Sequence, residues 1–160
     1  MPKSELDKDI AIVLVAAGRG ERAGAPSHGP KQYRFIGGKP VLAHTIAAFI
    51  SHPRVREIIV VIHADDLALF HQCWPKTDDR VRVVFGGETR QVSTRLGLLT
   101  LRERPPRYVM IHDGVRPFVD KVLLNRVIAE LGDNVGVLPA LPVTDTVKMR
   151  NGQGLISHTV

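Results

Sequence analysis

The sequence predicts an α/β fold: a three-layer sandwich around a mostly parallel β-sheet, with a β-hairpin near the C-terminal end. Apolar runs without strict alternation recur along the chain, as strands buried on both faces require. Helix-like segments separate these runs, and such alternation is typical of parallel sheets joined by crossover helices. Near the end of the chain, Asn151-Gly152 lies between two β-like stretches, which indicates a hairpin.

Five apolar runs predict the strands of the sheet. In chain order they are residues 10–15, 57–62, 81–85, 108–111 and 135–138. The predicted helices are residues 40–50, 65–73, 88–101 and 120–131. Pro40 suits the start of a helix, and Val92, Leu96 and Leu99 share one face of the third helix.

The length of 160 residues favours a single domain over residues 1–160. Residues 145–149 and 155–160 flank the Asn-Gly turn and predict an arm hairpin over about residues 142–160. Because the chain stops inside the second strand of that hairpin, we expect the domain to be incomplete at its C-terminus.

Composition and charge narrow the functional classes. The net charge of +6 favours anionic partners. The basic residues are scattered and few aromatic residues lie among them, so neither nucleic acid nor a membrane is the expected partner. No apolar stretch approaches the ~20 residues that span a bilayer, and the N-terminus has no apolar core for secretion, which together predict a cytoplasmic protein. Cys73 is the only cysteine, and we expect a half-buried thiol at a helix end, although a nucleophile activated by His71 is the alternative.

The first candidate site is the Gly-rich, basic segment after the first strand, residues 16–33. Small residues let backbone amides approach phosphate oxygens, and Arg19, Arg22 and Lys31 add positive charge, a combination that suits a triphosphate. A P-loop needs Ser or Thr after Gly-Lys, which this segment lacks. Residues 18–23 formally fit a dinucleotide-binding fingerprint, but a long Pro- and Gly-rich stretch follows where a helix should start. A solvated surface loop is the third alternative.

Polar residues also follow the later strands. Gly86-Gly87 precedes a helix, and Ser93 lies one and a half turns into it, where it can reach a base. Asp113 suits a ribose hydroxyl or a metal-bound water, and Arg116 suits a substrate phosphate. Each has an ordinary alternative, a helix N-terminus in the first case and an Asx turn in the second.

Six motifs stand in one order along the chain: residues 16–22 (Ala-Ala-Gly-Arg-Gly-Glu-Arg), 30–33 (Pro-Lys-Gln-Tyr), 86–88 (Gly-Gly-Glu) with Arg90 and Ser93, 112–117 (His-Asp-Gly-Val-Arg-Pro), 142–148 (Pro-Val-Thr-Asp-Thr-Val-Lys) and 158–160 (His-Thr-Val). In order and approximate spacing the chain resembles the 2-C-methyl-D-erythritol 4-phosphate cytidylyltransferase family of the non-mevalonate isoprenoid pathway. The resemblance implies the Rossmann-like sheet of nucleotidyltransferases.

The resemblance also implies a reaction. CTP binds first with Mg²⁺ or another divalent cation, which is held mainly by the CTP phosphates. A phosphate oxygen of methylerythritol phosphate then attacks the α-phosphorus, and pyrophosphate leaves without a covalent enzyme intermediate. The arm hairpin of the family reaches into a neighbouring subunit, which implies a homodimer.

Matching positions imply a role for individual residues. Arg22 and Lys31 are the expected catalytic residues, since they would stabilise charge on the transferring phosphorus. Asp113, Arg116 and Thr146 are expected to bind the second substrate. The residues expected to bind the nucleotide are Ala16, Ala17, Gly18, Arg19, Gly20, Gly87, Glu88, Ser93, Asp113 and Gly114.

The chain departs from the family in places. Val15 and Glu88 replace a usual proline and a usual aspartate. The family domain runs past Val160, where an arginine and a later lysine help to place the second substrate, and some members are fused to a cyclodiphosphate synthase domain. Three alternatives therefore stay open: a cytidylyltransferase for another polyol phosphate such as ribitol 5-phosphate, a CTP-binding domain without turnover, and a nicotinamide-dependent dehydrogenase.

Overall fold

The computed structural model describes residues 9–19, 29–75, 78–132, 134 and 136–160. The chain divides into two compact units, Met1–Lys121 and Val122–Val160. The first unit carries a parallel sheet, and the second carries an antiparallel hairpin.

The described strands of the first unit, in chain order, are β1 (Ile10–Ala16), β2 (Phe35–Ile36), β3 (Lys39–Pro40), β4 (Val55–Ile62), β5 (Val81–Phe85) and β6 (Tyr108–Asp113). Four of them form a parallel sheet in the order β5-β4-β1-β6, while β2 and β3 pair as a short antiparallel ribbon. Most residues of β1 and β4 are fully buried. Burial on both faces explains why β1, and β4 from Ile58 onward, are continuously apolar instead of alternating. Arg56 and Glu57, near the start of β4, are only half-buried.

The helices of the first unit are α1 (Val41–Ile50), α2 (Leu67–Cys73) and α3 (Arg90–Leu99). A Cβ atom at Gly97 of α3 would lie 2.7 Å from Val13 and 2.9 Å from Val61, so glycine lets this helix lie directly on one face of the sheet. On the other face the Phe49 ring of α1 contacts the His112 ring of β6, with 4.9 Å between the ring centroids. Helices on both faces make three layers, which confirms the predicted sandwich.

The predicted helices are confirmed with small changes at their ends. Helix α3 begins at Arg90 because the Thr89 hydroxyl caps it, accepting a hydrogen bond from the Val92 amide at 3.1 Å. A short 3₁₀ turn, Ala64–Asp66, precedes α2. Helix α4 (Lys121–Ala129) begins at the last residue of the first unit. Among the described residues, no helix is both long and apolar enough to cross a membrane.

The second unit contains the predicted hairpin. Strands β7 (Lys148–Arg150) and β8 (Ile156–Thr159) pair in antiparallel fashion. The Asn151 side chain accepts hydrogen bonds from the backbone amides of Gln153 at 3.0 Å and Leu155 at 2.9 Å. Gly154, with a φ of +82°, supplies the left-handed residue that lets the chain enter β8. The turn is therefore longer than a two-residue Asn-Gly turn.

The fifth predicted strand, residues 135–138, is wrong. Residue 135 lies outside the described residues, and residues 136–138 are not in a strand. The run is only four residues long, with Gly136 inside it and Pro139 directly after it. Such a segment offers few ladder hydrogen bonds to repay its loss of backbone entropy. Leu138 accordingly stays 86% exposed.

Candidate functional site

The strand order creates a crevice at one edge of the sheet. The connection from β1 to β4 carries α1 on one face, and the connection from β5 to β6 carries α3 on the other. From β1 the chain therefore proceeds through β4 and β5 toward one edge of the sheet, and it then returns to place β6 on the other side of β1. Ligands of parallel sheets bind at such a reversal, beyond the carboxyl ends of the strands.

A cleft of about 270 Å³ opens at this edge. It is lined by eight of the predicted site residues: Ala16, Ala17, Gly18, Lys31, Gly87, Glu88, Ser93 and Asp113. The structure thus brings together segments that follow three different strands. Gln32, Thr89 and Arg90 also line the cleft, although sequence reasoning assigned them no role.

The backbone after β1 is held by the buried side chain of Gln32. Its amide nitrogen donates hydrogen bonds to the carbonyl oxygens of Ala16 at 2.7 Å and Gly18 at 3.2 Å. Gln32 belongs to the 3₁₀ turn Lys31–Tyr33 and is only 2% exposed. The neighbouring Lys31 is exposed and borders the same cleft. One turn therefore supplies both a backbone anchor and a positive charge.

The glycine pair after β5 is required by close packing. A Cβ atom at Gly86 would lie 2.6 Å from the Ala17 Cβ and 2.7 Å from the Ser93 hydroxyl, which leaves no room for a side chain. The Ser93 hydroxyl accepts a hydrogen bond from the Gly87 amide at 3.1 Å and donates one to the Gly87 carbonyl at 3.2 Å. Ser93 therefore shapes this turn, and its contact with a base stays a prediction.

Asp113 lies between two arginines at the end of β6. One carboxylate oxygen accepts hydrogen bonds from Arg90 at 3.0 and 2.9 Å, and the other accepts from Arg116 at 2.9 Å. Partial burial of the carboxyl opposes ionisation, but the hydrogen bonds and charges of the two arginines outweigh it and hold the pKa of Asp113 below its usual range. The carboxylate is therefore ionised and fixed in direction at neutral pH.

Gly114 lies beside the cleft without lining it. Its amide donates to the Val15 carbonyl at 2.9 Å, and its carbonyl accepts from the Thr45 hydroxyl at 3.0 Å. A Cβ atom here would lie 2.8 Å from the Ala16 side chain. In this structure Gly114 joins the end of β6 to the end of β1, and its contact with the nucleotide stays a prediction.

Arg19, expected to add charge to the loop, is committed to other partners. Its guanidinium pairs with Asp65 at 2.7 Å and with Asp66 at 2.8 Å. Its backbone continues the loop from Gly18, and binding of the nucleotide by this backbone stays a prediction. Gly20 and Arg22 lie outside the described residues. Thr146 lies in the second unit, and its part in the site also stays a prediction.

Two side chains of reactive types, those of His112 and Cys73, are uncharged at neutral pH. Burial lowers the pKa of His112 even though Asp113 is next to it, so its imidazole is neutral at pH 7. Burial raises the pKa of Cys73 to about 11, which keeps its thiol protonated. Cys73 is the last residue of α2, as predicted, but it is buried and not half-buried, with 6% exposed. The nucleophile alternative has no support.

Four features define an α/β domain of the nucleotidyltransferase type. They are the order of the strands, the Gly-rich loop after β1, the glycine pair after β5 and the carboxylate of Asp113 between its two arginines. The sequence model of one family, described as IspD: 2-C-methyl-D-erythritol 4-phosphate cytidylyltransferase, matches residues 10–160. The chain belongs to this family.

Relatives and solved structures agree with this assignment. Bifunctional IspD/IspF enzymes from Brucella anthropi and Mesorhizobium japonicum are 57% and 54% identical to the chain over 151 residues. Each match covers 94% of this chain but only 37% of the relative. The crystal structure of 4-diphosphocytidyl-2C-methyl-D-erythritol synthase from Anaerococcus prevotii is similar with a TM-score of 0.76 at 30% identity, over 99% of this chain and 66% of that one.

Proposed function

We propose that the protein is a cytidylyltransferase of non-mevalonate isoprenoid biosynthesis, which transfers CMP from CTP to 2-C-methyl-D-erythritol 4-phosphate. The observation that carries the proposal is the cleft at the carboxyl ends of β1 and β6, where the loop 16–18, Lys31 and Asp113 converge. Membership of the IspD family over residues 10–160 supports the same activity.

The proposed reaction is an in-line displacement at phosphorus. A phosphate oxygen of the polyol phosphate forms a bond to the α-phosphorus of CTP, the bond from that phosphorus to the bridging oxygen breaks, and pyrophosphate leaves with the electron pair. Lys31 is exposed at the cleft, so its ammonium group can offset the charge that develops on the α-phosphoryl oxygens. We propose the same role for Arg22.

The two glycine-containing segments are proposed to hold the nucleotide. Backbone amides of residues 16–20 and of Gly87 would bind the triphosphate and the base, with Glu88 and Ser93 beside them. Asp113 is fixed by its two arginines and would accept a hydrogen bond from a ribose hydroxyl. Arg116 and Thr146 would bind the phosphate of the acceptor.

A divalent cation, Mg²⁺ or a similar ion, is part of the proposal. The described residues include no group of three or more His, Cys, Asp or Glu side chains that could hold a metal. Glu88 and Asp113 offer hard oxygen donors of the kind that Mg²⁺ prefers, but both oxygens of Asp113 already accept hydrogen bonds from arginines. Most of the metal ligands would therefore come from the CTP phosphates. When bound, the ion would neutralise charge on the leaving pyrophosphate.

The hairpin of β7 and β8 is proposed to reach into a partner subunit of a homodimer. Every residue of both strands is exposed, and Leu155 and Ile156 are 63% and 65% exposed. A two-stranded ribbon is marginally stable alone in water, so a partner surface would stabilise it. Analytical ultracentrifugation should give the mass of a dimer, and Ile156→Asp should shift the equilibrium toward monomer.

The proposed activity is tested by measuring CTP-dependent release of pyrophosphate with the full-length protein. We also propose that the protein acts in the cytoplasm. Three reactions are compared: methylerythritol phosphate, ribitol 5-phosphate and no acceptor. We expect release only with methylerythritol phosphate. Release only with ribitol 5-phosphate would favour the other cytidylyltransferase, and calorimetric CTP binding without any release would indicate a nucleotide-binding domain that lacks catalysis.

A further inference from the structure

Arg19 connects the loop after β1 to a buried carboxylate that belongs to another segment. Asp66 follows β4 in the 3₁₀ turn Ala64–Asp66, and only 1% of it is exposed. Its Oδ1 atom accepts a hydrogen bond from the Arg19 guanidinium at 2.8 Å. Asp65, by contrast, pairs with the same guanidinium from an exposed position, with 76% of its side chain accessible.

Burying a carboxylate is costly unless an opposite charge accompanies it. Arg19 supplies that charge, and it stands directly after the loop Ala16–Gly18. Its guanidinium also lies 2.7 Å from the Nδ1 atom of His63, which follows β4 and caps the 3₁₀ turn. Three acceptors at the turn after β4 therefore hold the side chain of Arg19, which follows the loop Ala16–Gly18.

Asp66 also acts electrostatically on Tyr33, which belongs to the 3₁₀ turn Lys31–Tyr33. Burial, together with the charge of Asp66, raises the pKa of the Tyr33 phenol. Tyr33 belongs to the same 3₁₀ turn as Gln32, whose amide holds the carbonyl oxygens of Ala16 and Gly18. Asp66 therefore binds the Arg19 side chain at one end of the loop, and its charge acts on the turn whose Gln32 holds Ala16 and Gly18.

We infer that Asp66 is a positioning residue for the loop Ala16–Arg19 and acts through the guanidinium of Arg19. The inference rests on the proposed function, because the loop matters only if it binds the CTP phosphates. Amides that are already fixed before the nucleotide arrives bind it without a further loss of backbone entropy. Asp66 contributes this fixation from outside the cleft and does not touch the substrate.

A competing role for Arg19 makes the opposite prediction. If Arg19 left the acids and bound a phosphate of CTP itself, Asp66 would compete with the nucleotide for the guanidinium. Removing the charge of Asp66 would then strengthen CTP binding. If Asp66 positions the loop, the same change weakens it. The sign of one measurement therefore separates the two roles.

The experiment compares Asp66→Asn with the matched exposed variant Asp65→Asn, using the full-length protein and CTP with Mg²⁺. We expect Asp66→Asn to raise the KM for CTP about tenfold, with little change in the KM for the acceptor. Asp65→Asn should change the KM for CTP by less than about twofold, because exposed ion pairs contribute little. Arg19→Met should match Asp66→Asn, and the double variant should be no worse than either single variant.

Several outcomes would overturn the inference. They are a wild-type KM for CTP in both Asp66→Asn and Arg19→Met, equal losses in the two Asp variants, strictly additive losses in the double variant, or tighter CTP binding by Asp66→Asn. If Asp66→Asn does not fold, the salt dependence of CTP binding by Arg19→Met decides between the two roles. We expect it to equal that of the wild type, because a positioning guanidinium touches no phosphate, and a smaller salt dependence would overturn the inference. A wild-type protein that neither binds nor turns over CTP would instead refute the proposed function, which keeps the two failures distinct.

Discussion

The central strands of the parallel sheet and the strands of the hairpin differ most in burial. Ile59 in β4 is fully buried, whereas Ile156 in β8 is 65% exposed. Both β4 and β8 contain β-branched residues, so intrinsic propensity alone does not explain the difference in burial between these two strands. What distinguishes them is the number of covered faces: β1 and β4 have helices on both sides, while both hairpin strands are exposed along their whole length.

This difference separates two tasks. The first unit buries enough apolar surface to hold a cleft in a fixed shape, and eight predicted site residues line that cleft. The hairpin contributes little burial within its own unit, so we expect it to act through contacts with another molecule. Stability and nucleotide binding should therefore respond to changes in the first unit, and assembly should respond to changes in the second. Acceptor binding should depend on both units, through Arg116 and Thr146.

The largest effect should come from a matched pair of substitutions. Ile59→Ala removes a buried side chain from the centre of the sheet and should lower the free energy of unfolding by about 2–5 kcal/mol. Ile156→Ala removes the same atoms from an exposed strand and should cost less than about 0.5 kcal/mol. Urea denaturation at low protein concentration, where a dimer contributes least, measures both. Equal losses would contradict the contrast in burial.

The next effect concerns the charge at the cleft. Lys31→Ala should weaken CTP binding by about 1.5–3 kcal/mol, because it removes a charge-assisted contact with phosphate. Lys39→Ala, at an exposed position of β3, is the matched control and should bind CTP normally. Isothermal titration calorimetry with CTP and Mg²⁺ measures both affinities. A normal affinity of Lys31→Ala for CTP would contradict the proposal that this segment binds the triphosphate.

A smaller effect should appear in the second unit. Thr146→Val replaces a hydroxyl with a methyl group of similar size and should raise the KM for methylerythritol phosphate by about three- to tenfold, the loss expected for one hydrogen bond. The affinity for CTP should not change. The control is Thr144→Val, two residues earlier in the same exposed segment. A loss of CTP affinity in Thr146→Val would contradict the division of tasks between the two units.

Much of the fold could be predicted because its signals are local. The runs that became β1, β4, β5 and β6 are continuous in sequence, and their carboxyl ends meet at one edge for any parallel sheet. That rule predicted that Gly87 and Asp113 lie near residues 16–18, which follow β1. The fifth strand failed because four apolar residues with an internal glycine satisfy the same local pattern without enough ladder bonds to hold it.

The side-chain partners within the site could not be predicted because they depend on residues far apart in sequence. Arg19 and Asp66 are 47 residues apart, and Arg90 and Asp113 are 23 apart. Gln32 has no periodic or charge signal that marks it as buried. A basic loop indicates positive charge, but only the three-dimensional arrangement shows that one of its arginines already has two carboxylate partners.

The smallest predicted effect concerns Asp113 and its two arginines. The pKa of Asp113 is lowered in the folded protein, so its pairing stabilises the fold above the unfolded value of 3.8 and is lost as the pH falls through the lower, folded value. Arg90→Met removes two hydrogen bonds and one charge, and the pKa of Asp113 should rise. Carbon NMR titration of the carboxyl group measures this change.

Because the guanidinium of Arg90 is largely exposed, the loss of stability at pH 7 should be less than about 1 kcal/mol. Arg95→Met, on the exposed face of the same helix, should leave the titration unchanged, and an unchanged titration in Arg90→Met would show that Arg116 alone sets the charge of the carboxyl.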